Sequence, residues 1–220
     1  MKKQIYNPHR QKEVGCFTNT SRRFIFIHIY KNASITIRNS LGIWDWEDYN
    51  KVIIPSATSL CVMRSPLGRA ISIYQYLLRL ETNGMPTMHP THLTIKSDFY
   101  KERKNPIISF NHFLDEIDGG NFYDATTSPQ IKFLKDKNIK VADIDEILIH
   151  ENLDKEFNKF KKKYNIKNEV KLSHDNASPS HTRDILNDYV ENNESVRKRI
   201  LSIYHEDADL YESIINRRKK

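Results

Sequence analysis

Residues 24–41 read FIFIHIYKNASITIRNSL, and this stretch decides the fold. Its opening, Phe24 to Ile29, is mostly β-branched and aromatic and has the length of a buried strand. A short polar turn around Lys31 follows it, and a helix-like pattern then extends from about Ser34 to Leu41. The stretch therefore predicts a buried strand that ends in a tight turn and opens directly into a helix.

A second stretch repeats this arrangement about thirty residues later. Leu60 to Met63 is a short apolar run that predicts another buried strand, and it ends at Arg64. Ser65 is a good N-cap residue, and Pro66 suits the first position of a helix. The helix predicted from there to about Glu81 carries its apolar residues at helical spacing: Leu67, Ala70, Ile71, Tyr74, Leu77 and Leu78.

The rest of the chain continues the alternation of helices and strands. A further strand is predicted at Glu146 to His150. Because strands alternate with helices, we expect an α/β fold of three layers, with a mostly parallel central sheet flanked by helices. Ligands bind to such sheets at the carboxyl ends of the strands. The other predicted helices are Ser109 to Ile117 with Ser109 as its cap, one capped by Ser128 and ending near Lys135, Leu153 to Tyr164, and Glu194 to Asn216.

Length and composition limit the class of protein. With 220 residues, we expect a single domain over 1–220, in which residues 1–22 form a loosely packed lead-in. Aromatic residues make up 10%, which excludes global disorder, and only 6 glycines exclude a collagen-like chain. No apolar run is long enough for a membrane span, no signal peptide is recognisable, and two cysteines make no disulfide framework. We therefore expect a cytoplasmic protein.

The charge indicates a partner of opposite sign. There are 35 Lys and Arg against 28 Asp and Glu, which gives a net charge of +7. Charge alone leaves nucleic acid, anionic lipid, a phosphorylated nucleotide and an acidic glycan open.

The turn after the first strand has the features of an anion site. The first amides of a helix lack helical acceptors, and the helix dipole adds partial positive charge there. Lys31 lies in this turn, and Ser34 and Thr36 supply hydroxyl groups. No Walker A pattern is present, so the turn is not the phosphate loop of that class. A polar turn that merely contains a lysine is the alternative.

The turn after the next strand has the same character. Arg64 comes just before the helix, and Arg69 and Ser72 are three residues apart, so they share a helical face. A guanidinium group can donate two parallel hydrogen bonds to a phosphate. Two such loops suit a nucleotide with two separated phosphate groups, whereas solvated surface arginines are the alternative for this loop alone.

Together the two loops resemble those of the sulfotransferases that use 3′-phosphoadenosine 5′-phosphosulfate (PAPS), most closely the carbohydrate-type group. HIYKNASIT (28–36) resembles the family's 5′-phosphosulfate loop, and RSPLGRAIS (64–72) its 3′-phosphate loop. This chain departs from the pattern at Tyr30, where proline is usual, and at Ser34 and Ile35, where one hydroxyl is lost. Weaker matches follow in family order: SFNHFL (109–114), PQ (129–130), IHENL (149–153), HDNAS (174–178) and IYHEDADLY (203–211).

The resemblance implies a P-loop-NTPase-like sulfotransferase fold and a function. The expected reaction transfers a sulfuryl group from PAPS to a hydroxyl group, in preference to an amine, of a glycan or glycolipid acceptor. No metal, nucleic acid or membrane span is expected to take part. Lys31 would stabilise the departing phosphate. The residues implied to bind the nucleotide are Lys31, Asn32, Ala33, Ser34, Ile35, Thr36, Arg64, Ser72 and Arg69, the last nearby or structural.

An acceptor hydroxyl needs a general base. The resemblance implies a Glu or His between the two loops, as in related sulfotransferase families. No histidine lies between Lys31 and Arg64, so Glu47 is the first candidate and Asp48 the second. His89 and His92 are the alternatives, since the loop-like stretch 82–108 could fold over the acceptor. Any of these four side chains could instead be an ordinary surface group.

Two other classes of function remain open at this point. One is a small-molecule kinase with a P-loop-like site, which predicts dependence on Mg²⁺. The other is a basic module without enzymatic activity that binds nucleic acid or anionic lipid, although no motif of a nucleic-acid-binding protein is recognisable.

Overall fold

The structure is a computed structural model of the 220-residue chain. It describes residues 15–18, 23–43, 45–48, 57–82, 101–118, 126–167, 170–172 and 180–219.

A five-stranded sheet forms the centre of the molecule. The strands are β1 (Gly15–Thr18), β2 (Phe24–Ile27), β3 (Asp45–Asp48), β4 (Thr58–Met63) and β5 (Glu146–Ile149). Their order across the sheet is β3-β1-β2-β4-β5. β2, β4 and β5 are parallel neighbours, whereas β1 runs antiparallel to both β2 and β3. β3 therefore points in the same direction as β2.

Helices follow the strands in the alternating order that the sequence predicts. Two of them begin just after β2 and β4, so the carboxyl ends of these neighbouring strands both open into helices. The helices are α1 (Ser34–Leu41), α2 (Pro66–Thr82), α3 (Pro106–Asp118), α4 (Gln130–Lys135), α5 (Leu153–Lys163), α6 (Ser180–Asn192), α7 (Glu194–Ile203) and α8 (His205–Arg217).

The parallel strands β2, β4 and β5 are covered on both faces, which is why they read as largely apolar runs. Alternate residues of each strand point to opposite faces. Phe26 and Val62 pack with residues of α1 and α5 on one face. Ile27 and Met63 pack with residues of α4 and α8 on the other face. The protein is thus the three-layer α/β fold that the sequence predicts.

A separate apolar core lies among α2, α3, α6 and α7. Tyr74 of α2 and Phe110 of α3 are both fully buried, and their rings meet edge to face at 5.3 Å. This core anchors α2, which carries part of the site described below. Among the residues that the structure describes, no helix has the length and apolar character needed to cross a lipid bilayer.

The start of α3 differs from the sequence-based prediction. The helix begins at Pro106, and the side chain of Asn105 accepts hydrogen bonds from the amides of Ile107 and Ile108, both at 3.2 Å. The prediction of Ser109 as its cap is therefore wrong, because Ser109 is a buried residue inside the helix. Asn and Ser are both good caps, so the sequence offered two candidates in one short segment.

Other boundaries also differ. The N-cap position of α4 is Pro129 and not Ser128, and its side chain makes no capping bond. Part of the predicted lead-in, Gly15–Thr18, is a strand of the sheet. The C-terminal helical pattern is divided at Tyr204 into α7 and α8. The strand Asp45–Asp48 and helix α6 were not anticipated, since neither segment carries a long apolar pattern.

Candidate functional site

The loop between β2 and α1 is held in an unusual backbone conformation. Lys31 and Ala33 have positive φ angles of 65° and 56°, a region that non-glycine residues seldom adopt. Ala33 is the N-cap of α1 and provides no side-chain cap. The first amides of α1 are therefore left without helical acceptors at the end of the strand. Such a helix start favours an anion.

Two polar side chains fix this loop from within the protein. The hydroxyl group of Ser34 is buried and donates to the carbonyl of Ile29 at 2.8 Å. Its hydrogen is thus committed to the protein, and only its lone pairs remain available. Asn32 is 1% exposed, and its amide donates to the carbonyl of Val62 at 2.8 Å, which ties the loop to β4.

The loop after β4 follows the prediction closely. α2 begins at Pro66, and the hydroxyl of Ser65 accepts a hydrogen bond from the amide of Gly68 at 3.2 Å, as a cap should. A Cβ atom at Gly68 would lie 3.3 Å from Nε of Arg64 and 3.1 Å from Oγ of Ser65. Glycine therefore lets the Arg64 side chain lie close against the first turn of the helix.

Arg64 joins the two loops. Its Nη1 donates to the carbonyl of Lys31 at 3.3 Å. Its buried Nε has no hydrogen-bond partner among the residues that the structure describes. Burial lowers the pKa of Arg64 to about 10, with the charges of Arg69 and Arg183 adding to this effect and Glu151 opposing it. A buried donor next to further cations is an arrangement that suits an anionic ligand.

The amine of Lys31 lies against α2. Its Nζ is 4.0 Å from the centre of the Tyr76 ring, in a cation–π contact. Burial, together with the charges of Arg79, Arg64 and Arg69, lowers the pKa of Lys31 to about 7. A dianion placed here would reverse that effect, because it would favour the protonated amine. The electrostatics thus match a site for negatively charged groups.

Arg69 has the contacts expected of the structural alternative, while its contact with a nucleotide stays a prediction. It is 1% exposed, and its guanidinium group donates to the carbonyls of Thr126 and Ser128 at 3.1 and 2.7 Å. Its Nη1 also lies 3.9 Å from the buried carboxylate of Asp207. These contacts make Arg69 a structural tie between α2, the chain before α4, and α8.

The remaining predicted nucleotide-binding residues lie at the same end of the sheet. Thr36 is partly buried in the first turn of α1, and Ser72 is partly buried in α2, one turn after Arg69. Ile35 is 46% exposed, so an apolar side chain meets solvent at the start of α1, where the related loops carry a hydroxyl. Contact of any of these residues with a nucleotide stays a prediction.

The candidate bases divide into two groups. Glu47 pairs with Cys16 of β1, which in turn pairs with Ile27 of β2. Two strand spacings of about 4.8 Å therefore separate Glu47 from the end of β2, and Asp48 is the next residue toward the loops. His89 and His92 lie outside the described residues. The choice among the four stays open.

The sequence did not single out several contacts that build the site. Tyr76 and Arg79 beside Lys31 lacked any signal in the sequence. Asp207 lies in the family match at 203–211, but its contact with Arg69 could not be foreseen. Gln130 carried a signal in the dipeptide Pro129–Gln130, although its contacts could not be foreseen. Glu151, within the family match at 149–153, accepts from the amide of Ser65 at 2.9 Å and so helps to hold the loop before α2.

Comparison with known proteins identifies the class to which these loops belong. No curated protein and no solved structure matches the chain. Within the described ranges, no three His, Cys, Asp or Glu side chains come together as a metal-binding group. The sequence model that defines the sulfotransferase family matches residues 14–212, a range that includes the five described strands and both loops. From this match, and from the cationic loops at the ends of β2 and β4, we conclude that the chain belongs to the sulfotransferase family.

Proposed function

We propose that the protein transfers a sulfuryl group from PAPS to a hydroxyl group of a carbohydrate acceptor. The observation that carries the proposal is the pair of cationic loops at the ends of two adjacent parallel strands, with Arg64 bonded to the carbonyl of Lys31. The acceptor class rests on the resemblance to the carbohydrate-type group, and so does the preference for PAPS.

The residues present fit a nucleotide with two phosphate-like groups. The open amides of α1 and the amine of Lys31 would hold the 5′-phosphosulfate. The Nε of Arg64, which has no partner among the described residues, and the hydroxyl of Ser72 would bind the 3′-phosphate, with Arg69 as the tie that fixes α2. Ser34 would support the loop through Ile29 and would not donate to the ligand.

PAPS supplies the SO₃ group and a phosphate as its leaving group. The bond from sulfur to the 5′-phosphate oxygen breaks as the acceptor oxygen bonds to sulfur, and the acceptor proton passes to a base. Lys31 would stabilise the negative charge that develops on the phosphate oxygen. Glu47 is our first choice as the base, because β3 ends at the same edge of the sheet as β2.

Transfer of labelled sulfate from PAPS to a panel of glycans tests the proposal. Wild-type protein should label at least one acceptor without added metal. Lys31→Ala should abolish the transfer, since no other described amine is placed at the loop between β2 and α1. Lys198→Ala is the matched control, because this lysine is exposed on α7 and pairs only with Glu194 among the described residues.

Two results would contradict the proposal. Turnover by Lys31→Ala equal to that of wild type would remove Lys31 from the chemistry. Thermal stabilisation by Mg-ATP, with none by adenosine 3′,5′-bisphosphate, would instead favour a kinase.

A further inference from the structure

Gln130 lies between the two cationic loops. It is the first residue of α4 and is fully buried. The dipeptide that contains it is one of the weaker matches to the family pattern. None of the chemical roles assigned above uses it.

The side chain of Gln130 bonds to both loops at once. Its Oε1 accepts from the amide of Arg64 at 3.1 Å, and its Nε2 donates to the carbonyl of Arg64 at 2.7 Å. Its Oε1 also accepts from Nδ2 of Asn32, the residue after Lys31. One carboxamide thus bridges the loop after β4 and the loop after β2.

The backbone of Gln130 is held in place from the other side. Its amide donates to Oδ2 of Asp207 at 2.7 Å, and the amide of Ile131 donates to Oδ1 of the same carboxylate at 2.9 Å. Asp207 is itself fully buried in α8. Gln130 is therefore fixed to the body of the protein and not merely to the two loops.

The chemistry of the bridge requires an amide. One atom of the side chain must accept hydrogen bonds from the amide of Arg64 and from Nδ2 of Asn32, and the other must donate to the carbonyl of Arg64. A glutamate at this position would set a second oxygen against the carbonyl of Arg64. An apolar residue would remove the partner of the amide and of the carbonyl of Arg64 and leave Nδ2 of Asn32 with its bond to Val62.

We propose that Gln130 is a positioning residue that sets the separation of the two loops, so that the two phosphate groups of one nucleotide are bound together. This inference rests on the proposed function. When two sites act on one ligand, the gain from the second contact depends on whether the geometry allows both at once. Gln130 holds that geometry without touching the ligand.

Calorimetric titration with three nucleotides tests this role: adenosine 3′,5′-bisphosphate, adenosine 5′-monophosphate and adenosine 3′-monophosphate. The quantity of interest is the ratio of each monophosphate Kd to the bisphosphate Kd. In Gln130→Met, which keeps the length of the side chain, we expect this ratio to fall about tenfold, the size typical of a lost buried hydrogen bond. The affinities for the monophosphates should change little.

Two further variants sharpen the test. Asn32→Ala removes the bridge from the side of the other loop and should lower the ratio in the same way, which keeps the test open if Gln130→Met does not fold. Asn111→Ala is the control, because its amide also links two elements, donating to Tyr189 at 2.9 Å, but it lies in α3 away from the loops. It should leave the ratio unchanged.

The possible failures are distinct. If wild-type protein does not bind the bisphosphate, the result contradicts the proposed function and also this inference, which rests on it. If wild-type protein binds it and the variants weaken all three nucleotides equally, Gln130 serves only the stability of the fold and the inference alone is overturned.

Discussion

Lys31 and Arg64 have side chains whose charge the protein disfavours in the absence of an anion. Both have lowered pKa values, for which burial is the main cause; neighbouring arginines add to the effect, and Glu151 opposes it at Arg64. Arg69 is the same residue type as Arg64, but carbonyl groups and Asp207 surround its guanidinium group. At this scale, Arg64 and Arg69 differ in the partners of their guanidinium groups and not in residue type.

The pKa of Lys31 predicts how nucleotide affinity depends on pH. Above about 7 the free protein increasingly carries a neutral amine. A bound dianion favours the charged form, so binding then takes up a proton, and the Kd for adenosine 3′,5′-bisphosphate should rise by up to about tenfold per pH unit. Below that pH the amine is already charged, and this contribution disappears.

Calorimetry in two buffers of different ionisation enthalpy measures the proton uptake directly. Lys31→Met, which has a similar length and no charge, should bind more weakly and lack the uptake above neutral pH. The same uptake in Lys31→Met would assign the proton to another group.

Among the secondary-structure elements, two helices differ in how accurately their first residue could be predicted from the sequence. The start of α2 was predicted correctly because Ser65 and Pro66 are adjacent and unambiguous. The start of α3 was predicted wrongly because Asn105 and Ser109 are both credible caps. Burial of Ser109 against the α2 side of the core settles the choice, and that depends on tertiary packing.

Removal of the Asn105 cap should destabilise the protein. Asn105→Ala leaves two amides of α3 without their acceptor and should lower the free energy of unfolding by about 1 kcal/mol. Urea denaturation followed by circular dichroism measures the change. Asn158→Ala is the control, because Asn158 is exposed inside α5 and caps nothing. An equal loss in both variants would contradict the capping role.

For the molecule as a whole, Asp207 joins parts of the chain that are distant in sequence. Its carboxylate accepts from the amides of Gln130 and Ile131 and lies near Arg69 of α2. Burial raises the pKa of Asp207, while Arg69 and the hydrogen bonds oppose that rise. The C-terminal helix is therefore part of the support for both loops.

Asp207→Ala should be strongly destabilising. It leaves the buried charge of Arg69 without its carboxylate, a loss that costs about 3 kcal/mol or more. The neighbouring residue provides the control, since Glu206 pairs with Lys135 at the surface, and Glu206→Ala should cost under about 1 kcal/mol. Urea midpoints of the two variants give the comparison, and similar midpoints would show that the buried carboxylate contributes little.

The sequence by itself determined the three-layer α/β class and the position of both loops. The buried parallel strands show as apolar runs, and the start of α2 follows directly from Ser65 and Pro66. The tertiary structure decided which partners each of these cations has. It also revealed the bridge through Gln130 and Asp207, because hydrogen bonds between residues about 70 to 100 positions apart leave no local pattern in the chain.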